Sequence, residues 1–468
     1  MKKIAYTILM TLTVCFAASA QQNLRSAYFL DGYTYGYKMN PSIAPERGFF
    51  AFPAIGNLGV GLESNMALST FLYPTAEGNL TTFMNSSVAD SDFLGKLKNS
   101  NRLNFNLNES ILAFGFRTGY AFHTVDLSVK ADVGAVLPKD LFSFVKTGGS
   151  AGATAWDISR TGIRANSRLE LAYGYSRPIN DWIRVGARAK VLMGMARADV
   201  LIDNLNLQMS GTEWSVTSHG QAEISGPLTV GTLEGTNEVD FDSIEFGDVM
   251  EYISTPSIGL AFDLGASFDF LDYFTASVSV LDLGYISWNE TTTAVMPGGK
   301  WNFNGFGTIE TGEGSSIGDQ FSQIGDEFMK MLKLEKTGDA LKKSDMLSAT
   351  LHAGFEARMP FYERLAFGLL YTQRFDGIYS WSEGRLSANV APTGWFSAAA
   401  SYAYSSYGNS LGGVVNIHLA GLNLYAGVDS FLPLMNVTPQ YIPIDSMNTN
   451  LTLGLTFLFG KPVGRYRY

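Results

Sequence analysis

The chain has 468 residues, a formal net charge of −10 at pH 7 and a mean hydropathy of +0.06. Net negative charge disfavours nucleic-acid binding, because the phosphate backbone selects basic surfaces. No segment after the N-terminal region approaches the roughly 20 consecutive apolar residues that a membrane-spanning helix needs, which excludes a helical membrane protein.

The N-terminus has the pattern of an export signal. Lys2-Lys3 precedes an apolar run over residues 4–16 and the small residues Ala18-Ser19-Ala20, which is the arrangement of a cleaved secretory signal. We therefore predict a signal peptide over residues 1–20 and a mature chain that begins at Gln21.

Lipoprotein processing at Cys15 is the alternative. It fits less well, because Val14 stands where such sites want a small residue. Cys15 is the only cysteine in the sequence. Its removal with the signal would leave a mature chain with neither a disulfide nor a thiolate metal site.

Alternation of apolar and polar residues recurs along the mature chain. In the stretch 450–459 every odd position carries a large apolar residue, which is typical of a strand with one apolar face. Strands in lipid must close on themselves, since lipid cannot satisfy free backbone groups. The sequence thus predicts an all-β, transmembrane antiparallel barrel of about fourteen strands, with twelve to sixteen possible. A secreted β-sandwich explains the Leu- and Phe-faced strands less well.

Charged residues alternate with the apolar residues of these strands, and successive side chains of a strand point to opposite faces. We call this alternation parity, and it predicts that the charged residues point into the lumen. These lumen candidates are Asp126, Asp132, Arg168, Glu170, Arg184, Arg188, Lys190, Asp263 and Glu356. Their basic members form either a cationic wall that selects anionic solutes or ion pairs with the inward carboxylates. We favour ion pairs, because a barrel of this size needs a filled or plugged interior.

Connection lengths predict the orientation of the barrel, since such barrels have short periplasmic turns and long extracellular loops. Predicted turns lie at residues 177–181, 271–272 and 359–363, and predicted extracellular loops lie at residues 137–166, 218–256 and 290–345. The second loop is acidic, which allows a divalent-cation site but is more simply explained by a solvated loop.

The third long insertion contains an apolar stripe with helical spacing over residues 317–334. This pattern predicts an amphipathic helix of about five turns. Its role is either that of a lid, a membrane-surface helix or a partner-binding helix, or that of a loop helix packed locally, which we favour.

Signatures of catalysis are absent from the sequence. No G-x-S-x-G, H-E-x-x-H or P-loop pattern occurs. We therefore predict no enzyme activity, no catalytic or metal site and no cofactor.

The start of the mature chain is too aromatic for a disordered tail, and its Tyr and Phe side chains require burial. We predict a periplasmic or plug segment over residues 21–48, a barrel over 49–460 and a basic, aromatic tail over 461–468. If the strand at 450–459 closes the barrel against a first strand near 55–62, the plug segment and the tail emerge side by side at the periplasmic rim.

The sequence resembles a domain-of-unknown-function family of outer-membrane barrels from Bacteroides-type envelopes over residues 23–53, 68–74 and the terminal strand. Nearly the whole mature chain is covered. More distantly, Asn40-Pro41-Ser42 is similar to the Asn-Pro-Ala turn of the long-chain fatty-acid transporter family, whose N-terminal segment plugs the barrel. That resemblance implies a plug turn at Asn40, Pro41 and Ser42, and hydrophobic-compound uptake by analogy.

Two functions follow for a protein of the bacterial outer membrane. The first is passive transport of a hydrophobic or small solute. The second is a non-transporting barrel that serves as a structural or partner-binding subunit of an envelope complex. Outer-membrane lipid is the expected surrounding, envelope proteins are possible partners, nucleic acid is not expected as a partner, and the sequence does not identify the cargo.

Overall fold

The computed structural model describes residues 23–52, 56–75, 79–147, 155–210, 213–246, 252, 256–296, 299–303, 319, 323, 333–419, 421–431, 437–439, 442–444 and 446–463. The predicted signal peptide, nearly all of the predicted helix at 317–334 and the tail residues 464–468 lie outside the described residues.

Strands account for most of the described chain. In chain order they are β1 (Gly48–Ala51), β2 (Leu58–Ala67), β3 (Leu72–Pro74), β4 (Leu80–Thr82), β5 (Ser100–Thr118), β6 (Ala121–Pro138), β7 (Ala155–Asp157), β8 (Thr161–Pro178), β9 (Ile183–Ser210), β10 (Glu213–Ser225), β11 (Leu228–Thr232), β12 (Val239–Phe246), β13 (Ser257–Phe270), β14 (Phe274–Trp288), β15 (Thr291–Val295), β16 (Gly299–Phe303), β17 (Glu335–Gly338), β18 (Lys343–Met346), β19 (Ala349–Met359), β20 (Tyr362–Phe375), β21 (Trp381–Thr393), β22 (Phe396–Ser405), β23 (Gly408–Leu419), β24 (Leu422–Ser430) and β25 (Ser446–Phe459).

Helices are short in the described part of the chain. They are α1 (Asp90–Leu94), α2 (Lys139–Thr147) and the 3₁₀ helices Arg25–Ala27, Thr34–Lys38, Leu68–Thr70 and Gly377–Tyr379. Among the residues described, no helix has the length and apolar character needed to cross a membrane.

The sheet closes into an antiparallel barrel of fourteen strands, as the sequence predicted. Its wall runs through β1 and β2 as one interrupted strand, then β5, β6, β8, β9, β13, β14 and β19 to β25. Closure occurs where β25 pairs with the first strand, with Phe50 opposite Phe457 and Leu58 opposite Leu453. A closed sheet has no free edge, so its backbone hydrogen bonds are satisfied even in lipid.

The first wall strand begins at Gly48, earlier than the predicted stretch near 55–62, and the chain leaves the ladder between Ala51 and Leu58. The sequence pattern did not predict this strand, because aromatic residues lie on both of its faces. Phe49 is buried against the interior, whereas its neighbours Phe50 and Phe52 pack on each other with ring centroids 4.5 Å apart. Alternation of polarity is absent where both faces meet apolar surroundings.

The two faces of the wall differ as parity predicted. On β25, Leu451 is 44% exposed and Leu453 is 42% exposed, whereas Thr452 and Thr456 between and beyond them are fully buried. The outward faces of β13, β20 and β21 carry exposed Leu and Phe in the same way. Exposed apolar surface of this extent fits a hydrocarbon surrounding.

The ends of the barrel are unlike each other. One end, the turn rim, holds Gly48, Phe459 and the short connections at 119–120, 179–182, 271–273, 360–361 and 394–395. The other end, the loop rim, holds the long connections. The predicted turns at 177–181, 271–272 and 359–363 therefore share one rim.

The three predicted long loops contain much regular structure. β9 has 28 residues, roughly three times the length that spans a bilayer, and it pairs beyond the loop rim with β10. β10 pairs with β15 and β16, and β15 pairs with β17. Beyond the loop rim these strands bury Ile202, Leu205 and Leu207 in a common core. Their apolar side chains therefore point to that core and not to a membrane.

This loop-rim core also contains aromatic residues from α1, α2 and the β3–β4 hairpin. Phe83 and Phe93 stack with ring centroids 4.1 Å apart, and Phe144 lies 5.2 Å from Trp156. Aromatic pairs at such separations stabilise a fold beyond their burial alone. The loop rim is therefore a packed cap.

Candidate functional site

The plug segment, Asn23–Arg47, lies inside the barrel. Its Tyr33, Tyr35 and Tyr37 are buried, and they pack in edge and tilted geometry on one another and on Phe49 and Tyr425 of the wall. The high aromatic content of this segment is explained by that burial.

The plug turn lies against two glycine positions of the wall, Gly186 and Gly265. Asn40 Oδ1 accepts hydrogen bonds from the backbone N–H of Ser42 at 3.0 Å and from its hydroxyl at 2.8 Å, which makes an Asx turn. Ser42 Oγ is 2.5 Å from Ser267 Oγ. A Cβ atom at Gly186 would overlap the Pro41 carbonyl oxygen, and one at Gly265 would overlap Asn40 Oδ1. Glycine at these wall positions is required by the close approach of the plug.

One buried polar contact of the plug is an ion cluster around Arg25, which we call the Arg25 cluster. Arg25 Nη2 lies 2.8 Å from Glu63 Oε1, and Arg25 Nε lies 3.0 Å from Glu383 Oε1. Asp429 accepts the backbone N–H groups of Arg25 at 3.1 Å and Ser26 at 2.7 Å. The plug is thus attached to three different wall strands by charge.

Arg385 completes the Arg25 cluster. Its Nε lies 2.9 Å from Glu383 Oε1, and its Nη1 donates to Ser26 Oγ at 2.9 Å. Burial alone would lower the pKa of Arg25, but the carboxylates of Glu383, Glu63 and Asp429 outweigh burial and raise it. The guanidinium therefore stays charged, and removing a partner would leave an unpaired charge in the interior.

Asp126 joins the plug to the wall at a second point. Its carboxylate accepts a hydrogen bond from Tyr37 at 2.6 Å, lies 3.4 Å from Lys38 Nζ and accepts one from Arg188 Nη2 at 3.1 Å. Arg188 also donates to Asp263 at 3.0 Å. Burial lowers the pKa of Lys38, and Asp126 opposes that effect. Three of the predicted lumen residues thus form one network with the plug.

Lys190 forms the adjoining part of the network. Its Nζ lies 2.6 Å from Asp263, 2.6 Å from Asp282 and 3.6 Å from Glu170. Glu170 is in turn 2.8 Å from Lys130. Asp282 has a φ of 58°, and its N–H donates to Asp263 at 2.8 Å. A bulge here directs an extra carboxylate inward, which strict alternation does not predict.

Two further candidates are paired closer to the turn rim. Arg184 donates to Asp269 at 3.0 Å. Glu356 lies 2.9 Å from Arg358, which also binds Asp31 of the plug segment at 2.7 Å. Arg184, Arg188 and Lys190 are therefore ion-paired and do not form a bare cationic wall.

Arg168 and Asp132 are held more loosely, near a cavity of about 90 Å³ on the loop-rim side of the plug. Arg168 comes no closer than 3.8 Å to Asp282 and 3.9 Å to Asp132. Asp132 lies 3.6 Å from Arg164 and 3.9 Å from Arg374. These distances exceed hydrogen-bond length.

Sequence reasoning did not single out several residues of the site. These are Glu63, Asp282, Glu383 and Arg385, together with Arg25 and Asp429 as a pair. Glu63 and Glu383 occupy inward positions in the alternation of β2 and β21, and this pattern could have identified them as lumen residues. Asp282 points inward because of a bulge, which a single sequence does not reveal. Within the described ranges, no group of three His, Cys, Asp or Glu side chains could hold a metal ion.

Residues 41–429 match the model of a family of unknown function, DUF5723. The chain belongs to this family. The predicted relationship to an uncharacterised family of outer-membrane barrels is thereby confirmed at the level of the family. A search of curated proteins gave no match.

Several solved outer-membrane barrels are similar in architecture. The toluene transporter TodX of Pseudomonas putida is 8% identical, with 95% of this chain and 96% of that chain covered and a TM-score of 0.40. The toluene transporter TbuX of Ralstonia pickettii is 10% identical, with coverages of 91% and 94% and a TM-score of 0.42. A FadL homologue of Pseudomonas aeruginosa is 11% identical, with coverages of 95% and 100% and a TM-score of 0.39. Similarity this low does not transfer a substrate to this chain.

Proposed function

We propose that the protein resides in the bacterial outer membrane and conducts a small solute passively, with the plug segment as its gate. On this proposal the turn rim faces the periplasm and the loop rim faces outside, as in barrels with short periplasmic turns. Outer-membrane lipid surrounds the exposed Leu and Phe side chains.

The observation that carries the proposal is the way in which the lumen is filled. It is occupied by a separate segment, joined to the wall in sequence only at Gly48 and held elsewhere by the Arg25 cluster, by Asp126 and by Asp31. The wall that faces this segment carries many polar residues, with buried Ser128, Thr124, Asn416 and Asn423 among them, beside apolar ones such as Phe122 and Leu370. Displacing the segment would expose a hydrophilic path, which suits a gated pore.

The polar wall also bears on the kind of solute. Charged and hydroxyl side chains predominate in the lining of the cavity beside the plug, whereas an apolar compound gains most from an apolar site. Of the two solute classes that the sequence suggested, a small polar solute therefore fits better than a hydrophobic one.

A permanently sealed barrel is the second candidate, and one observation favours it. The plug fills the lumen so far that the cavity beside it has a volume of only about 90 Å³. In that case the protein would be a structural or partner-binding subunit. The partner surface would include the turn rim, where Val463 N donates to the Glu46 carbonyl oxygen at 2.9 Å and holds the start of the tail beside the plug segment.

A reversible cross-link tests the gate directly. Ser26 Oγ of the plug and Ser401 Oγ of the wall are 2.9 Å apart, so cysteines at both positions are close enough to form a disulfide. The predicted mature chain has no other cysteine. Conductance in planar bilayers would be recorded for the Ser26→Cys, Ser401→Cys double variant before and after reduction, with each single variant as control.

A second variant weakens the gate. Arg25→Gln removes the charge that binds three wall carboxylates, and we expect it to raise open probability at least tenfold. Arg47→Gln is the matched control, because Arg47 lies in the same segment but is half-buried, and its Nε donates to the Gly460 carbonyl oxygen at 3.0 Å. Arg47→Gln should conduct like the natural chain.

The proposal requires that the oxidised double variant stay closed and that reduction restore conductance. If neither the reduced protein, nor Arg25→Gln, nor a chain that lacks the plug segment conducts ions, the gated channel is wrong and the sealed barrel is favoured.

A further inference from the structure

The cavity on the loop-rim side of the plug, which we call the upper cavity, differs from the rest of the described lumen in its hydrogen bonding. Its lining includes Asn106, Arg168, Arg374 and Trp381 on the wall and Arg25 on the plug. Below it, each basic side chain of the network has a carboxylate within hydrogen-bond reach. At the upper cavity Arg25 and Lys130 are paired in the same way, but Arg168 has no carboxylate within that distance.

Arg168 shows the difference most clearly. Only 6% of it is exposed, yet its two nearest carboxylate oxygens are 3.8 and 3.9 Å away. Its Nε has no hydrogen-bond partner among the described residues. Arg188, on the neighbouring strand, instead donates to Asp126 at 3.1 Å and to Asp263 at 3.0 Å. A buried guanidinium without short contacts is costly unless another acceptor meets it.

Two other buried donors at the upper cavity also lack partners in the described part of the chain. They are Asn106 Nδ2 and Trp381 Nε1. An indole N–H and a guanidinium can only donate hydrogen bonds. Unpaired donors of this kind are satisfied by a ligand whose polar atoms only accept hydrogen bonds, and an oxyanion has this property.

The charge around the upper cavity has the matching sign. Beyond Arg168 lie Arg164, which binds Asp376, and Arg374, which is 3.5 Å from Asp376 and 3.9 Å from Asp132. Three guanidiniums thus share two carboxylates. Asp282 also lines the cavity, but it is bound by Lys190 at 2.6 Å. A single negative charge would balance the excess of arginine.

We infer that the upper cavity is a binding site for a compact oxyanion, such as inorganic phosphate or a small carboxylate, with Arg168 as its main ligand and Arg374 and Trp381 as further donors. A volume of about 90 Å³ admits a solute of this size and excludes a lipid. Binding does not require passage through the barrel, so the site can exist whether or not the plug opens.

Titration calorimetry on the full mature protein in detergent tests the site. Inorganic phosphate and acetate are added in separate titrations in an oxyanion-free buffer, with chloride as the control anion. We expect saturable binding of phosphate or acetate and none of chloride at equal concentration. The two titrations distinguish a phosphate site from a carboxylate site.

The variants separate a specific site from general lumen charge. Arg168→Gln should weaken binding tenfold or more, because it removes a charge-assisted contact. Trp381→Phe removes one donor and should weaken binding about threefold. Arg184→Gln is the matched control, since Arg184 is also an inward arginine but does not line this cavity; its affinity should stay within about twofold of the natural chain.

Retention of the barrel is checked for each variant by urea unfolding. If Arg168→Gln does not fold, Trp381→Phe and Arg374→Gln carry the test. Absence of saturable binding to the natural chain, equal binding of chloride, or an equal loss in Arg184→Gln would overturn the site. None of these measurements depends on conductance, so the oxyanion site and the gated channel can fail separately.

Discussion

Asp126 and Asp132 lie on the same strand, β6, and both point into the lumen, but their surroundings differ. Asp126, level with the plug, has Tyr37, Lys38 and Arg188 within 2.6 to 3.4 Å. Asp132, above the plug, has three arginines at 3.6 to 3.9 Å. The plug supplies two of the three short contacts of Asp126. Tight pairing in this barrel therefore depends on the plug and not on the wall alone.

The charged residues level with the plug and those above it therefore have different roles. At the plug level, the wall and the plug segment stabilise each other, and loss of either leaves charge unpaired. Above the plug, Arg164 binds Asp376, but the hydrogen bonds of Arg168 are incomplete, which leaves Arg168 available to a ligand. Matched substitutions at the two levels measure the contrast in free energies of unfolding, obtained from urea titrations of protein folded in lipid vesicles.

The largest difference is expected for the two aspartates. Asp126→Ala leaves Lys38 and Arg188 with a missing partner in a fully buried position, and it should lower the free energy of unfolding by about 3–5 kcal/mol. Asp132→Ala should lower it by about 1 kcal/mol or less, since its ion contacts are long. Equal losses would show that the level of the plug does not matter.

Two tyrosines give the next difference. Tyr37→Phe removes a hydrogen bond of 2.6 Å to a carboxylate and should cost about 1.5–3 kcal/mol. Tyr379→Phe, above the plug, removes a hydroxyl that has no partner among the described residues, so the stability should change by less than about 0.5 kcal/mol. A costly Tyr379→Phe would contradict the incomplete hydrogen bonding that we assign to the upper level.

Two inward glycines give the smallest difference. Gly186→Ala places a Cβ atom on the Pro41 carbonyl oxygen, so the plug turn must move, at about 1–3 kcal/mol. The segment should also become more sensitive to added protease. In Gly134→Ala the new Cβ atom meets the ring of Tyr379 at 3.2 Å, which a small ring movement relieves, and the expected cost is below about 1 kcal/mol. Protease resistance of the plug segment in Gly186→Ala would show that its turn is not held by this contact.

Parity was sufficient to place the wall residues, because lipid forces alternate side chains outward. It put Asp126, Glu170 and Arg188 in the lumen without any knowledge of their partners. It failed at Phe49, which is apolar and inward because the plug, and not water, lies behind it. It failed again beyond the loop rim, where Ile202 and Leu205 face a packed core.

The sequence could not predict which charged residues pair with each other, for a different reason. Arg25 finds Glu63, Glu383 and Asp429 on three separate strands, and only the closed barrel brings these strands to one level. Strand period fixes which face a residue occupies but not its height relative to a segment from another part of the chain. The loose contacts of Arg168 are a matter of tenths of an ångström, which no periodicity encodes.

The hydrogen bond between Arg25 and Asp429 joins residues 404 positions apart, and this sets the order in which the molecule can assemble. Contacts of such long range form slowly, since the chain between them must first be organised. The Arg25 cluster is complete only when β24 is in place, next to the strand that closes the wall. We therefore expect the plug segment to reach its final position late in folding, together with closure of the barrel.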